Sequence, residues 1–178
     1  MPFQSVAPDC DESNPDSMAP LQLVRHLALA KARSVHAPGA LIIGSDQVVD
    51  LDGEVLGKPG TATRAVAQLE RLAGRTHRLI TAVAVVEADT GRAEVDVDVH
   101  ELTMRSLDRE TLVRYVAHDA PLGCAGSYML ERRGVALFDR IDADPDTADD
   151  TAIIGLPLMK LLRMLRRFGL DPLGAGVS

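Results

Sequence analysis

The apolar positions of the chain follow two different periods. In four segments they recur every three to four residues, as on a helix with one buried face, and these segments are residues 20–36, 61–74, 106–118 and 157–168. Between them lie apolar or alternating runs typical of strands, at residues 41–44, 77–88, 93–104 and 135–141. This succession of helices and strands predicts an α/β fold with a mixed sheet and flanking helices.

Residues 42–59 depart from a simple strand pattern. Asp46 lies between two apolar runs, which is a costly place for a carboxylate unless it is paired, binds a metal or faces a cleft. Asp52-Gly53 lies between apolar flanks and predicts a tight hairpin turn. We therefore expect the returning chain to bring Lys58 towards Asp46, as an acid and a base that chemistry on a phosphate would use.

The first predicted helix carries a lysine on its inner face. Lys31 lies three to four positions from the apolar residues Leu27, Ala28 and Val35, and residues at this spacing share one face of a helix. Two interpretations stay open at this point. The side chain extends to the edge of the core, or it points into a cleft and meets an anion.

Several side chains can be assigned to a face from periodicity alone. In strand 93–104 the valines at 95, 97 and 99 are expected on one side and the acids at 94, 96 and 98 on a solvated side. Lys160 is expected on the outer face of the last helix, and Val113 on the inner face of the helix before it. His77 and His100 have no partner at metal-ligand spacing and are interpreted as structural residues.

Two loops have a distinctive composition. Residues 142–150 contain five aspartates without the spacing of a calcium loop, so a solvated and mobile loop is expected. Residues 123–127 are mostly small, which either lets a backbone or a ligand approach closely or simply makes a tight bend.

Composition and charge exclude some classes of protein. The net charge of −7 argues against a general nucleic-acid binder, although a few local lysines can still hold a small anion. The two cysteines, Cys10 and Cys124, provide neither a disulfide framework nor a metal site. No membrane-spanning run and no signal peptide are visible, and a cytoplasmic protein with reduced thiols is expected.

Common nucleotide and hydrolase motifs are absent. Gly57-Lys58-Pro59 lacks the hydroxyl residue and the earlier glycine of a phosphate-binding loop. There is no G-x-G-x-x-G after a strand and no G-x-S-x-G, so neither a dinucleotide fold nor a nucleophile elbow is supported.

Six short segments, in order, resemble the Maf-like nucleotide pyrophosphatases over roughly residues 3–173. The segments are Asp11-Glu12-Ser13, Lys31-Ala32, Gly44-Ser45-Asp46-Gln47-Val48, Leu56-Gly57-Lys58-Pro59, Ala125-Gly126-Ser127-Tyr128 and Gly155-Leu156-Pro157-Leu158. The resemblance implies an elongated fold related to inosine triphosphatase, with a nucleotide cleft between two lobes of a single domain covering 1–178 and a frayed tail at 170–178. It also implies a house-cleaning enzyme, often a homodimer, that hydrolyses nucleoside triphosphates to monophosphate and pyrophosphate.

The resemblance further implies roles for individual residues. Asp46 and Glu12 would bind Mg²⁺ or Mn²⁺ or orient the attacking water, and Lys31 and Lys58 would neutralise phosphate charge. Gln47, together with the residues between 127 and 131, would bind the nucleotide and discriminate its base.

The segment from Cys124 to Glu131 resembles the 7-methyl-GTP branch of the family. Ser127, Tyr128 and Glu131 match that branch. The 7-methylguanine ring is positively charged, so a carboxylate at Glu131 would accept hydrogen bonds from its N1 and N2 donors and favour its charge. The alternative for Glu131 is a surface acid beside Arg132 and Arg133.

The family usually begins with a strand and a Ser-x-x-Arg-Arg loop that grips the triphosphate. Here the resemblance starts near Phe3, after that loop, so the first strand and the loop are expected to be missing. Each charge-assisted hydrogen bond lost would cost about 1.5–3 kcal/mol. Either the start codon is set too late, or this form is weak or inactive. The alternatives are a catalytically silent nucleotide-binding or regulatory homologue and a dTTP/UTP pyrophosphatase.

Overall fold

The computed structural model describes residues 3–13 and 17–174. Within these residues the chain forms four α-helices, α1 (Pro20–Arg33), α2 (Ala62–Leu72), α3 (Arg109–Asp119) and α4 (Leu158–Arg167). The five strands are β1 (Leu41–Leu51), β2 (Glu54–Leu56), β3 (Thr76–Glu87), β4 (Ala93–Met104) and β5 (Phe138–Ala143). The predicted α/β fold is confirmed. None of the helices in the described part of the chain is long and apolar enough to cross a membrane.

The five strands form one sheet in the order β2-β1-β3-β4-β5. Strands β1 and β2 pair antiparallel, with Val49 opposite Leu56 and Leu51 opposite Glu54. The predicted hairpin turn is confirmed, because Asp52 and Gly53 both have positive φ angles, 55° and 90°, as the tight turns of two-residue hairpins require.

The chain folds into two compact units. Unit 1 contains residues 1–46, 81–97 and 149–178, and unit 2 contains residues 47–80 and 98–148. Residues 14–16 lie outside the described part, as do residues 175–178 of the predicted frayed tail. Ahead of them, the Leu170 side chain packs against the unit 1 core.

In unit 1, helix α1 packs against strand β1 at a glycine. A Cβ atom on Gly44 would lie 2.2 Å from the carbonyl oxygen of Ala28 and 2.7 Å from the amide nitrogen of Ala32. Only glycine lets the two backbones approach this closely. The predicted inner face of α1 is confirmed, since its apolar residues Val24, Leu27, Ala28 and Ala32 are buried. The helix ends at Arg33, earlier than residue 36.

In unit 2, helices α2 and α3 pack together over the core. Thr61 caps α2 by accepting a hydrogen bond from the Arg64 amide, and Asp108 caps α3 in the same way from Thr111. The core consists of buried apolar residues from both helices and from all the strands except β5: Val49, Leu51, Leu56, Ala65, Val66, Leu69, Leu72, Leu79, Leu102, Met104, Leu112, Tyr115, Val116, Tyr128 and Leu137.

The predicted solvated face of β4 is wrong at Asp98. This residue is 1% exposed and His100 is 2% exposed, and Asp98 Oδ1 lies 2.9 Å from His100 Nδ1. Leu102 and Met104, on the same face, are part of the unit 2 core. Because alternate residues of a strand share a face, burying this apolar pair also buries Asp98 and His100.

Two helix faces also differ from the prediction. Lys160 is only 7% exposed, and its Nζ donates to the Val97 carbonyl at 2.5 Å. Met164 is buried while Leu158 is exposed, so the inner face of α4 is rotated from the predicted one. Val113 of α3 is exposed rather than buried.

The end of the aspartate-rich loop is not solvated. Asp149 is buried and accepts hydrogen bonds from the amide and hydroxyl of Thr151 and from the amide of Lys160. Burial alone would raise the pKa of Asp149, but these hydrogen bonds outweigh it and lower the pKa. The side chain therefore ties the loop to the start of α4.

Candidate functional site

Three predicted site residues meet in unit 1. Lys31 Nζ lies 2.5 Å from Asp46 Oδ1 and 3.0 Å from Glu12 Oε1. The side chains of Lys31, Asp46 and Glu12 are 14%, 10% and 41% exposed. The close approach at Gly44 accounts for the contact, because Lys31 precedes Ala32 on α1 and Asp46 follows Gly44 by two residues on β1. Lys31 thus pairs with two carboxylates of the chain, and its position in a cleft that meets a substrate anion stays a prediction.

The two carboxylates keep Lys31 charged. Burial disfavours the ammonium form, but hydrogen bonds to Asp46 and Glu12, together with their negative charge, outweigh it and raise the pKa of Lys31 above its ordinary value. At neutral pH the cluster carries one positive and two negative charges, and so a net charge of about −1.

The donor set fits a hard divalent cation. Among residues 3–13 and 17–174, no group of three or more His, Cys, Asp or Glu side chains is placed to hold a metal on its own. Mg²⁺ is usually bound by one or two carboxylates plus substrate phosphates, and Glu12 and Asp46 converge on one point, the Lys31 ammonium. The predicted metal ligands are therefore close together, and the metal itself stays a prediction.

A neighbouring serine fixes the strand that carries Asp46. The Ser45 hydroxyl lies 2.7 Å from the Ala82 carbonyl oxygen and 2.8 Å from that of Gly155. Thr81 adds a hydrogen bond from its hydroxyl to the carbonyl of Ala152. The segment around Gly155, one of the six segments that carry the family resemblance, is thus hydrogen-bonded to the strands of unit 1.

In unit 2, the small residues make a tight bend. Gly126 and Ser127 have φ angles of 69° and 65°, and a Cβ on Gly126 would lie 2.7 Å from Val49 Cγ2 and 2.8 Å from Tyr128 Cε1. The left-handed conformation is costly for a non-glycine residue such as Ser127. The Ser127 side chain is fully buried, so the residues packed around it stabilise the bend.

Tyr128 lies in the core of unit 2. Its hydroxyl is 3.1 Å from His77 Nε2, and its ring packs edge-on against Phe138 at 4.9 Å between centroids. Burial raises the pKa of Tyr128 and lowers that of His77 to about 4, so both side chains are neutral. His77 has the structural role expected for it, and direct contact of Tyr128 with a nucleotide stays a prediction.

Helix α3 holds the loop that presents Glu131. The Tyr115 hydroxyl accepts a hydrogen bond from the Met129 amide at 2.9 Å, and Asp119 Oδ2 accepts one from the Arg133 amide at 3.0 Å. Burial raises the pKa of Tyr115 to about 12. Glu131 itself is exposed, between these two anchors. The sequence shows Tyr115 only as a core residue and gives no signal for Asp119.

Lys58 is also exposed on a fixed backbone. The Gly57 carbonyl before it accepts a hydrogen bond from Gln68 Nε2 at 3.0 Å, and the Gly60 amide after it donates to the Leu122 carbonyl at 3.0 Å. Burial and the Glu131 charge raise the pKa of the Cys124 thiol, while Arg132 and Lys58 oppose them. Lys58 and Glu131 are therefore close enough to Cys124 to act on it electrostatically.

The remaining predictions concern residues of both units. Gln47 is the first residue of unit 2 on strand β1 and is partly buried. Asp46 belongs to unit 1 and Lys58 to unit 2, and the expected approach of Lys58 to Asp46 stays a prediction.

Comparison with known proteins agrees with these motifs. A family model described as Maf-like protein matches residues 1–168. A 7-methyl-GTP pyrophosphatase of Albidiferax ferrireducens is 44% identical over 98% of this chain and 87% of its own length. Proteins of the same name from Aromatoleum aromaticum and Pseudomonas putida are 44% and 43% identical, covering 96% and 95% of this chain and 87% of each relative. The chain belongs to the Maf-like protein family.

Proposed function

We propose that this protein hydrolyses the bond between the α- and β-phosphates of a nucleoside triphosphate, most favourably 7-methyl-GTP, to give the monophosphate and pyrophosphate. The observation that carries the proposal is the cluster in which Lys31 lies 2.5 Å from Asp46 and 3.0 Å from Glu12. The names of the relatives, at 42–44% identity, support the same reaction and the same substrate.

In the proposed mechanism, water attacks the α-phosphorus. A bond forms between the water oxygen and phosphorus, the bond to the bridging oxygen breaks, and pyrophosphate leaves with that electron pair. Asp46 orients the water and accepts its proton. Lys31, which stays charged at neutral pH, and Lys58 stabilise the negative charge that grows on the phosphate oxygens.

A divalent cation, Mg²⁺ or Mn²⁺, is proposed as the cofactor. Glu12 and Asp46 would hold it, since hard oxygen ligands suit both ions. When bound, it would supply further neutralisation of phosphate charge.

Base selection is proposed to come from unit 2. Glu131 is exposed and its loop is anchored at Met129 and Arg133, so its carboxylate is available to the N1 and N2 donors of a 7-methylguanine ring. The positive charge of that ring makes the hydrogen bonds charge-assisted, which roughly doubles their strength. Gln47 is proposed as a further contact to the nucleotide, and Ser127 and Tyr128, both buried, shape the segment.

The test is pyrophosphate release from 7-methyl-GTP, GTP, dTTP and UTP, with Mg²⁺ and with Mn²⁺. We expect the highest kcat/KM with 7-methyl-GTP, and release by Asp46→Asn that is lower by roughly 10²–10⁴-fold. Glu131→Gln should lower the preference for 7-methyl-GTP over GTP by about tenfold, a difference of about 1.4 kcal/mol. Glu101→Gln, which changes an exposed glutamate on β4 of the same unit, is the control.

Each outcome of this assay has a defined meaning. Release from none of the four nucleotides, by this chain and by an N-terminally extended form, would overturn the enzymatic proposal in favour of a silent nucleotide-binding homologue. Preference for dTTP or UTP would overturn only the choice of substrate.

We also propose a cytoplasmic homodimer that does not bind nucleic acid, and light scattering on the purified protein checks the dimer.

A further inference from the structure

We propose that Gln68 is a positioning residue that links the Ser127 bend to the loop carrying Lys58, and that nucleotide selectivity depends on this link. The inference rests on the proposed function for its enzymatic consequence. Gln68 lies on α2, outside every motif discussed above. Its Oε1 accepts a hydrogen bond from Ser127 Oγ at 2.5 Å, and its Nε2 donates one to the Gly57 carbonyl at 3.0 Å.

The chemistry of the partners fixes the orientation of the Gln68 amide. The Gly57 carbonyl can only accept, so the nitrogen end of the amide must face it, and the oxygen end then faces the hydroxyl of Ser127. Rotating the amide by half a turn would place two acceptors against each other at Gly57. The Gln68 side chain therefore holds the Gly57 segment and the Ser127 segment at a fixed distance from each other.

Each end of this bridge is next to a proposed substrate contact. Gly57 directly precedes Lys58, and Ser127 begins the stretch that leads to Glu131. The helix between them is well anchored, because Leu69 and Leu72 of α2 are fully buried and Thr61 caps its first turn. The hydrogen bond from the Gly60 amide to the Leu122 carbonyl joins the same two segments a second time.

The hydroxyl of Ser127 is committed to this bridge. Ser127 is 0% exposed, and its single hydroxyl proton is donated to Gln68. Its φ of 65° is a strained conformation for a residue with a Cβ, and such conformations persist only where the surroundings hold them. Ser127 therefore acts on the nucleotide through the shape of the segment rather than by donating to the substrate.

Gln68→Met tests the bridge because it keeps the length of the side chain and removes both hydrogen bonds. We expect the ratio of kcat/KM for 7-methyl-GTP to kcat/KM for GTP to fall by about fivefold to tenfold, mainly through KM. Ser127→Ala should lower the ratio by no more than Gln68→Met does. The double variant should match Gln68→Met, because Gln68→Met already removes the hydrogen bond to Ser127. Gln22→Met, an exposed glutamine on α1, is the matched control.

Gln68→Glu separates the two ends of the bridge. The carboxylate still accepts from Ser127, but it repels the Gly57 carbonyl and displaces the loop with Lys58. We expect kcat/KM to fall for all the nucleotides together, with less change in the selectivity ratio than in Gln68→Met. This variant also keeps the test decisive if Gln68→Met fails to fold.

Hydrogen exchange measures the bridge without reference to activity. In Gln68→Met the amides of Gly57, Lys58 and Gly60 and of residues 124–131 should exchange at least several times faster than in Gln22→Met, with α2 itself unchanged. If the unmodified chain hydrolyses nothing, the proposed function fails while exchange still decides the bridge. Unchanged exchange in both segments, or an unchanged selectivity ratio in an active enzyme, would overturn the inference.

Discussion

The two units secure the charged residues proposed for the site in different ways. In unit 1, Lys31 is mostly buried and lies between Asp46 and Glu12. In unit 2, Lys58 and Glu131 are exposed, and hydrogen bonds with the side chains of Gln68, Tyr115 and Asp119 fix the backbone beside them.

This difference follows from the cost of removing charge from water. A buried ammonium needs counter-charges, because an unpaired charge in a low dielectric is very unfavourable. An exposed charge is already solvated, so the fold needs to fix only where its backbone lies. Unit 1 is therefore expected to respond to the loss of a counter-charge, and unit 2 to the loss of hydrogen bonds and to the charging of a buried neutral side chain.

The largest effect is expected from Asp46→Asn. Replacing the carboxylate that accepts the proton of water should lower kcat by roughly 10²–10⁴-fold, measured as pyrophosphate release. Asp52→Asn is the matched control, because Asp52 pairs with Arg75 at the hairpin surface and Asn tolerates its positive φ. Equal losses in the two variants would contradict the role given to Asp46.

Gly44→Ala should have the next largest effect, on the stability of unit 1. The added Cβ would lie 2.2 Å from a backbone oxygen of α1, so the helix must move away from the strand. We expect a loss of about 3 kcal/mol or more in the free energy of unfolding, as severe overpacking gives, measured in urea. Gly123→Ala, whose Cβ meets open space, should change stability little, and a similar loss there would refute this account.

In unit 2, the burial of neutral His77 should make the free energy of unfolding fall at acid pH. Burial lowers the pKa of His77 to about 4, below the ordinary value of 6.5, so the unfolded chain binds the proton more readily. The contribution of His77 is fully present above about pH 6.5 and falls as the pH drops towards 4, by up to about 3 kcal/mol. His77→Gln should flatten this part of the pH profile of unfolding.

The control for His77 is His118→Gln, which changes an exposed histidine on α3 of the same unit. This variant should leave the acid limb of the profile as it is. If the free energy of unfolding had the same slope between pH 4 and 6.5 in His77→Gln and in the unmodified chain, the role given to His77 in unit 2 would be wrong.

The smallest effect is expected at alkaline pH in unit 1. Asp46 and Glu12 raise the pKa of Lys31 above its ordinary value. The stability that the two carboxylates provide by pairing with the Lys31 ammonium is therefore fully present below about pH 10.5, the pKa of an unfolded lysine. It is lost as the pH rises through the higher pKa of Lys31 in the folded chain. The difference in stability between the unmodified chain and Lys31→Met should shrink across that range, measured as the free energy of unfolding at a series of pH values. Gln22→Met, which changes an exposed residue of α1 that does not titrate, should show no such change.

Local patterns along the chain predict the elements well. The bounds of β4 are the same in the sequence prediction and in the structure, 93–104, because its alternation is long and ends in clear turn residues. The hairpin at Asp52-Gly53 is equally local. Strand β5 is less well predicted, since residues 133–137 form a 3₁₀ helix that its apolar pattern does not reveal.

The pattern of apolar positions also singled out the two charged residues that meet in unit 1, although it predicted Lys58 rather than Lys31 as the partner of Asp46. Lys31 on an apolar helix face and Asp46 between apolar runs are each anomalous, and two anomalies of opposite charge are explained by one contact. The family resemblance added Glu12 to the same cluster, and the structure places it 3.0 Å from Lys31.

Only the tertiary structure decided which faces are buried and which neutral side chains connect the segments. Asp98 and Lys160 are buried because distant apolar residues on their own elements face a core, and periodicity within a short window cannot rank two competing faces. Gln68 looks like any polar residue on a helix, since its partners are 11 and 59 positions away. Contacts of that kind depend on how the whole chain packs, which no local pattern specifies.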